Sequence, residues 1–88
     1  MSLEIIDFSA TWCGPCKMQK PIIEELKAQY GDKVTFTVID VDEDASMAQK
    51  YSVHAIPTII ILNEGEMVNS FIGLTSKEKL ATEISKYI

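Results

Sequence analysis

Apolar residues recur along the chain with two different spacings, and these spacings predict seven elements. Runs rich in apolar and β-branched residues predict four strands, at about residues 4–8, 34–41, 58–62 and 67–72. Apolar positions at helical spacing predict three helices, at about residues 14–30, 45–51 and from just after residue 75 to the end of the sequence.

The helical segments also predict which side chains face the core and where a helix begins. Thr75 and Glu78 have the spacing of a capping box, which predicts the start of the last helix. Gly31 and Asp32 predict the end of the first helix, and Pro21 falls inside it. The inward-facing positions are predicted to be Met18, Ile22, Leu26 and Tyr30 in the first helix, and Leu80, Ile84 and either Tyr87 or Ile88 in the last.

The element order is βαβαββα, which predicts an α/β fold. A helix joins the first two strands, so they should be parallel, with a right-handed crossover. The turn at residues 63–66 joins the last two strands into an antiparallel hairpin. We therefore expect a four-stranded mixed sheet flanked by three helices on both faces. A chain of 88 residues is expected to form one domain, spanning residues 1–88.

Composition excludes several classes of function. A hydrophobic content of 47% with 24% charged residues is typical of a folded globular protein. The net charge of −5 disfavours nucleic acid and anionic membranes as partners. No apolar run approaches the ~20 residues that span a bilayer, and the N-terminus lacks a secretory pattern. We therefore expect a cytoplasmic protein.

The two cysteines, Cys13 and Cys16, lie where the first strand gives way to the first helix. Unpaired N–H groups and a partial positive charge at a helix N-terminus favour an anion. We therefore expect a stabilised Cys13 thiolate with a depressed pKa, and a less reachable Cys16 one turn further along. Pro15 suits the first helical turn, where its missing N–H has no partner to lose.

Other interpretations of the cysteine pair are weaker. Two cysteines do not make a disulfide-stapled scaffold, and a bond between them would constrain the unfolded chain little. A structural zinc site needs about four nitrogen or sulfur ligands, and His54 is the only histidine that could add to the two thiols. The spacing therefore predicts redox chemistry and no metal site. Asp7, six residues before Cys13, could from the sequence alone be a solvated residue at a strand end.

Residues 7–18 read Asp-Phe-Ser-Ala-Thr-Trp-Cys-Gly-Pro-Cys-Lys-Met and resemble the active-site segment of the thioredoxin family. Further similarities are Pro21, the Ile-Pro-Thr at residues 56–58, Gly65, and the Phe-Ile-Gly at residues 71–73. The resemblance covers nearly the whole chain. It implies a thioredoxin-like fold and a protein-disulfide reductase that works through Cys13 and Cys16 and needs no bound cofactor.

The resemblance also implies roles for residues around the cysteines. Asp7 would be a buried acid that shuttles the Cys16 proton, and burial would raise its pKa. Pro57 would follow a cis bond and leave the Ile56 backbone free to pair with a client chain. The remaining residues of the implied docking surface are Trp12, Gly14, Pro15 and Gly73.

The chain departs from the family pattern in two ways that affect the site. Relatives carry an additional strand and helix before the segment with which this sequence begins, so the second strand is expected to lie at a sheet edge. That edge could pair with a second copy, although we expect a monomer. Val38 stands where many relatives have a charged residue, so proton handling would depend on Asp7 alone.

The expected partners are client proteins that contain disulfides and a thioredoxin reductase that supplies electrons, since the sequence has no nucleotide-binding motif. A glutaredoxin-like reductase that uses glutathione is one alternative, favoured by the short architecture and disfavoured by Trp12 and the Gly14-Pro15 pair. A binding module in which the fold matters more than turnover is the second alternative.

Overall fold

The computed structural model describes residues 2–88. None of the helices in this range is long and apolar enough to cross a membrane. The elements, in chain order, are β1 (Leu3–Ser9), α1 (Gly14–Tyr30), a 3₁₀ turn (Gly31–Lys33), β2 (Thr35–Asp40), α2 (Ala45–Lys50), β3 (Thr58–Asn63), β4 (Glu66–Ile72) and α3 (Lys77–Ile84).

The four strands form one mixed sheet in the order β2-β1-β3-β4. β1 runs parallel to β2 and antiparallel to β3, and β4 runs antiparallel to β3 with a register shift at Ile61 and Leu62. The predicted α/β fold and mixed sheet are confirmed. Among the residues described, β2 pairs only with β1 and therefore forms one edge of the sheet.

Two apolar clusters bury the two faces of this sheet, because strand side chains alternate between faces. α1 and α3 cover one face, and α2 with the loop after it covers the other. The buried residues of the first cluster are Leu3, Ile5, Ile23, Leu26, Val34, Ile59, Ile61, Leu80 and Ile84. Those of the second are Ile6, Phe8, Ile60 and Leu62.

The inward face of α1 differs from the predicted one. Met18 is 61% exposed, so its assignment to the core is wrong, and Ile22 and Tyr30 are only half-buried. α1 is rotated so that Cys16 points inward, and the positions at helical spacing from Cys16 are the ones that the sheet covers. The buried residues of α1 are Cys16, Gln19, Ile23 and Leu26.

The start of α3 also differs from the prediction. Ser76, not Thr75, is the N-cap, and its hydroxyl accepts a hydrogen bond from the Lys79 N–H at 3.1 Å. Thr75 is buried in the preceding loop, where its hydroxyl donates to the Gly73 carbonyl instead of capping the helix. At the other end of the chain Tyr87 packs against the core, whereas Ile88 is exposed.

Candidate active site

Cys13 and Cys16 form a disulfide at the N-terminus of α1, with their Cα atoms 5.2 Å apart. Cys13 is the N-cap of the helix, and its Sγ accepts a hydrogen bond from the Cys16 N–H at 3.3 Å. Both residues are buried; Cys13 is 6% exposed and Cys16 is 3% exposed. The predicted difference in solvent accessibility between the two cysteines is therefore small when they form the disulfide.

The first turn of α1 directs the Cys16 N–H at the sulfur of Cys13. Gly14 and Pro15 form this turn and are exposed, and the turn carries no acidic side chain that would oppose an anion. Unpaired donors and the helix dipole both favour negative charge at this position. The local structure thus fits a sulfur that becomes an anion during reaction.

The loop before β3 faces the disulfide. The Ile56–Pro57 peptide bond is cis, as the resemblance implied, and the Ile56 carbonyl oxygen lies 4.0 Å from the Cys13 Sγ. Ile56 takes part in no backbone–backbone hydrogen bond among residues 2–88. Its N–H and carbonyl are therefore available to another chain.

Gly73 joins this loop to the end of β4. Its N–H donates to the Pro57 carbonyl at 2.8 Å. Its φ of +90° lies in the region that L side chains rarely adopt, so the turn after β4 requires glycine here. Gly73 thus lies beside Pro57, at the edge of the surface around the disulfide.

Trp12 forms the other side of that surface. Its indole is 69% exposed, and its Nε1–H donates to Asp42 Oδ2 at 2.8 Å. The indole borders a groove of about 220 Å³ that continues along Val53, Ala55 and Ile56; we call this the Trp12 groove. An exposed indole held by a hydrogen bond offers a rigid apolar contact.

Asp7 lies on the other side of Cys16, under α1. It is 2% exposed, and no donor among residues 2–88 reaches its Oδ1. Burial raises the pKa of Asp7 to about 7. Asp7 and Cys16 line one cavity of about 500 Å³, whose other walls include Lys20, Val38 and Asp40. We call it the Asp7 cavity.

The nine residues singled out from the sequence fall into two groups. Eight form the disulfide and the surface around it, and Asp7 approaches Cys16 from the opposite side through a shared cavity. Val38 pairs with Asp7 across β1 and β2 and lines the same cavity. Among residues 2–88, no three histidine, cysteine, aspartate or glutamate residues form a group that could hold a metal ion.

Sequence reasoning missed two residues near the site. Gln19 is fully buried and exchanges two hydrogen bonds with the Thr75 backbone, and Asp42 holds the Trp12 indole. The signal for Gln19 was present, since it lies one turn after Cys16 and shares its helix face. Asp42 carried no comparable signal, because its acidic neighbours made a solvated loop the natural interpretation.

A disulfide that opens at a helix N-terminus can exchange two electrons with other thiols and disulfides. The fold and the site therefore define a thiol–disulfide oxidoreductase.

Comparisons with known proteins agree. The thioredoxin family model matches residues 2–86. A thioredoxin from Staphylococcus aureus is 45% identical over 86 residues, which cover 98% of this chain and 83% of the relative. A solved mutant thioredoxin from Halobacterium salinarum has a TM-score of 0.91 at 36% identity, covering 98% of this chain and 74% of that one.

A second solved structure, thioredoxin-2 of the malaria parasite, has a TM-score of 0.93 at 32% identity, over 97% of this chain and 82% of that one. The chain belongs to the thioredoxin family. It is a protein-disulfide reductase whose substrates contain disulfides.

Proposed function

We propose that Cys13 is the attacking thiolate of this reductase and that Cys16 is the resolving thiol. The observation that carries the proposal is the hydrogen bond from the Cys16 N–H to the Cys13 Sγ at the N-terminus of α1. When the pair is reduced, the same N–H and the helix dipole stabilise a negative sulfur at Cys13. Cys16 has no comparable position, because it already lies inside the helix.

The reaction then proceeds in two exchanges. The Cys13 thiolate attacks one sulfur of a client disulfide; a new bond joins Cys13 to the client, and the second client sulfur leaves as a thiolate. Cys16 next loses its proton and attacks the Cys13 Sγ, which breaks the mixed disulfide and releases the first client sulfur. Two electrons have passed to the client, and the Cys13–Cys16 disulfide remains. Because Cys16 is adjacent, this second step is effectively unimolecular.

Asp7 is the proposed acceptor of the Cys16 proton. The two residues line the same cavity, and a carboxyl whose pKa is raised to about 7 can both accept and return a proton near neutral pH. The cavity also gives the carboxyl a route to solvent. The position of β2 that pairs with Asp7 carries no charge, because Val38 occupies it.

The client is proposed to bind as an extended segment across the disulfide. The unused backbone groups of Ile56, next to Pro57, can pair with the client main chain, as an added strand does. Trp12 provides an apolar contact on one side, and Gly73 allows a close backbone approach on the other. Gly14 and Pro15 form the exposed floor between them.

The Cys13–Cys16 disulfide needs a source of electrons before the next cycle. We propose a flavoprotein thioredoxin reductase as the donor, with no cofactor bound to this chain. A reducing role suits a reducing compartment such as the cytoplasm. The chain is proposed to act as a single-domain monomer, and sedimentation of the reduced protein checks this.

Trapping of the mixed disulfide tests the two cysteine roles. Cys16→Ser should accumulate a covalent adduct with insulin that dithiothreitol releases, because the attacking thiolate remains and the resolving thiol is gone. Cys13→Ser should give no adduct. An adduct formed through Cys16 in the Cys13→Ser protein would reverse the assignment.

A coupled assay tests the electron donor. The oxidised protein should be turned over by thioredoxin reductase with NADPH. If only glutathione with its own reductase supports turnover, the glutaredoxin-like alternative holds.

A double variant tests the binding-module alternative. If Cys13→Ser combined with Cys16→Ser leaves the biological effect of the protein intact, the chain acts as a binding module.

A further inference from the structure

Gln19 connects the redox helix to the loop that follows β4. It lies one turn after Cys16 and is fully buried. Its Oε1 accepts the Thr75 N–H at 2.8 Å, and its Nε2 donates to the Thr75 carbonyl at 3.0 Å. One side chain therefore satisfies both backbone groups of one loop residue, 56 positions away in the chain.

The loop held in this way carries the Gly73 edge of the docking surface. The Thr75 hydroxyl donates to the Gly73 carbonyl at 3.0 Å, and the Gly73 N–H donates to the Pro57 carbonyl at 2.8 Å. Hydrogen bonds therefore lead from α1 through Thr75 and Gly73 to Pro57. Ile72 and Leu74, on either side of Gly73, are 76% and 46% exposed and are open to a bound chain.

We propose that Gln19 is a positioning residue for client binding: its amide fixes the 73–75 loop at a set distance from the Cys13–Cys16 disulfide. The proposal rests on the docking surface proposed above. Gln19 does not touch the reacting sulfurs in any described contact, and it acts through Thr75 and Gly73. Its effect should therefore fall on protein clients that span the surface and not on small disulfides that reach only Cys13.

The chemistry of the position supports this role over simple core filling. An apolar side chain of equal volume would fill the space, but it would leave the Thr75 N–H and carbonyl buried without partners. The loop would then have to move to satisfy these groups. Because the Gly73 N–H is hydrogen-bonded to the Pro57 carbonyl, a displaced loop would shift the docking surface relative to the disulfide.

Gln19→Met tests the proposal, because methionine keeps the length and volume and removes both hydrogen bonds. Reduction of insulin and of hydroxyethyl disulfide is measured with dithiothreitol as donor, after subtraction of the rate without protein. We expect the KM for insulin to rise about tenfold with kcat nearly unchanged, and hydroxyethyl disulfide to be reduced at the normal rate. Hydrogen exchange at the Thr75 and Gly73 amides should accelerate in the same variant.

Two control variants separate positioning from general damage. Gln29→Met makes the same change at an exposed position of α1 and should leave both substrates unaffected. Ile61→Ala weakens the buried core on β3 without touching the Gln19 contacts and should not raise the KM for insulin selectively. Gln19→Glu, which keeps an acceptor for the Thr75 N–H but when ionised cannot donate to its carbonyl, should raise the KM for insulin as well.

An unchanged KM for insulin in both Gln19 variants would overturn the proposal. So would an equal loss with both substrates, because that pattern indicates damage to the reaction or to the fold as a whole. Failure of the unaltered protein to reduce either disulfide would instead count against the proposed function, and the two failures are therefore distinguishable.

Discussion

The buried polar groups on the two sides of Cys16 differ in whether they have hydrogen-bond partners. On the loop side, the Gln19 amide is fully buried and both of its polar atoms are paired with Thr75. On the cavity side, Asp7 is 2% exposed and its Oδ1 has no donor among residues 2–88. Gln19 lies on α1, one turn after Cys16, and Asp7 lies on β1 under the same helix and lines a cavity together with Cys16.

The difference separates a hydrogen-bonded amide from a carboxyl that titrates near neutral pH. A paired amide stabilises one arrangement of the backbone and has no proton to exchange. An unpaired buried carboxyl destabilises the folded state when ionised, and its raised pKa makes it able to accept a proton near neutral pH. The same degree of burial therefore produces a hydrogen-bonded contact on one side and a carboxyl with a raised pKa on the other.

The largest expected effect is a stabilisation by Asp7→Ala at high pH. The folded pKa of about 7 lies above the reference value of 3.8. The free energy of unfolding is therefore highest below the reference value, where the carboxyl is neutral, and it falls as the pH rises through 7, because the buried carboxyl destabilises the fold once it is ionised. Above that point the variant should be about 2–4 kcal/mol more stable than the unaltered protein. Urea unfolding between about pH 5 and about pH 9 measures this difference.

Client release should become slower in the same variant, because Asp7 is the proposed acceptor of the Cys16 proton. Asp32→Ala, at an exposed position of the 3₁₀ turn, is the control and should leave both stability and rate unchanged. A less stable Asp7→Ala protein with normal release would remove Asp7 from the mechanism.

The second effect is smaller and has the opposite sign. Gln19→Met leaves two backbone groups of Thr75 without partners and should cost about 1–3 kcal/mol of unfolding free energy. Because no titrating group takes part in the Gln19–Thr75 bonds, the loss should be the same at every pH. A loss that varies with pH as the Asp7 effect does would mean that the two sides of Cys16 are energetically coupled, and the comparison would fail.

The fold could be predicted from the sequence because its strands and helices carry strong patterns. The apolar run of β1, the β-branched run of β2 and the hairpin turn before Glu66 each specify local structure, and a helix between parallel strands fixes the handedness. The errors concern α1 and the start of α3. Met18 and Thr75 were each assigned by a local rule, and tertiary contacts determined which neighbouring residue, Gln19 or Ser76, took the role.

The site was predictable to the extent that it is continuous in sequence. Cys13, Cys16 and Trp12 lie in one segment, and the resemblance supplied Asp7 and Pro57. The Gln19–Thr75 contact joins residues 56 positions apart, and no pattern within either segment points to the other. Contacts of this kind depend on how the elements pack, so a single sequence does not contain a direct signal for them.

The smallest expected effect tests the cavity side alone. Val38 pairs with Asp7 across the sheet, is 59% exposed and lines the Asp7 cavity. In Val38→Lys, an ammonium group near the carboxyl should lower the pKa of Asp7 by about one unit, because an opposite charge favours the ionised form. The gain in stability above pH 7 should be about 1 kcal/mol, and client release should slow slightly because the acceptor is a weaker base.

Carbon-detected NMR of the Asp7 carboxyl follows this titration directly. Val68→Lys, which adds the same charge at an exposed position of β4, is the control and should leave the pKa of Asp7 where it is. An equal shift in both variants would mean that net charge, not the contact across the sheet, sets the pKa. No shift in either variant would mean that solvent in the cavity screens the added charge. The lack of a cation at position 38 would then have no influence on the pKa of Asp7.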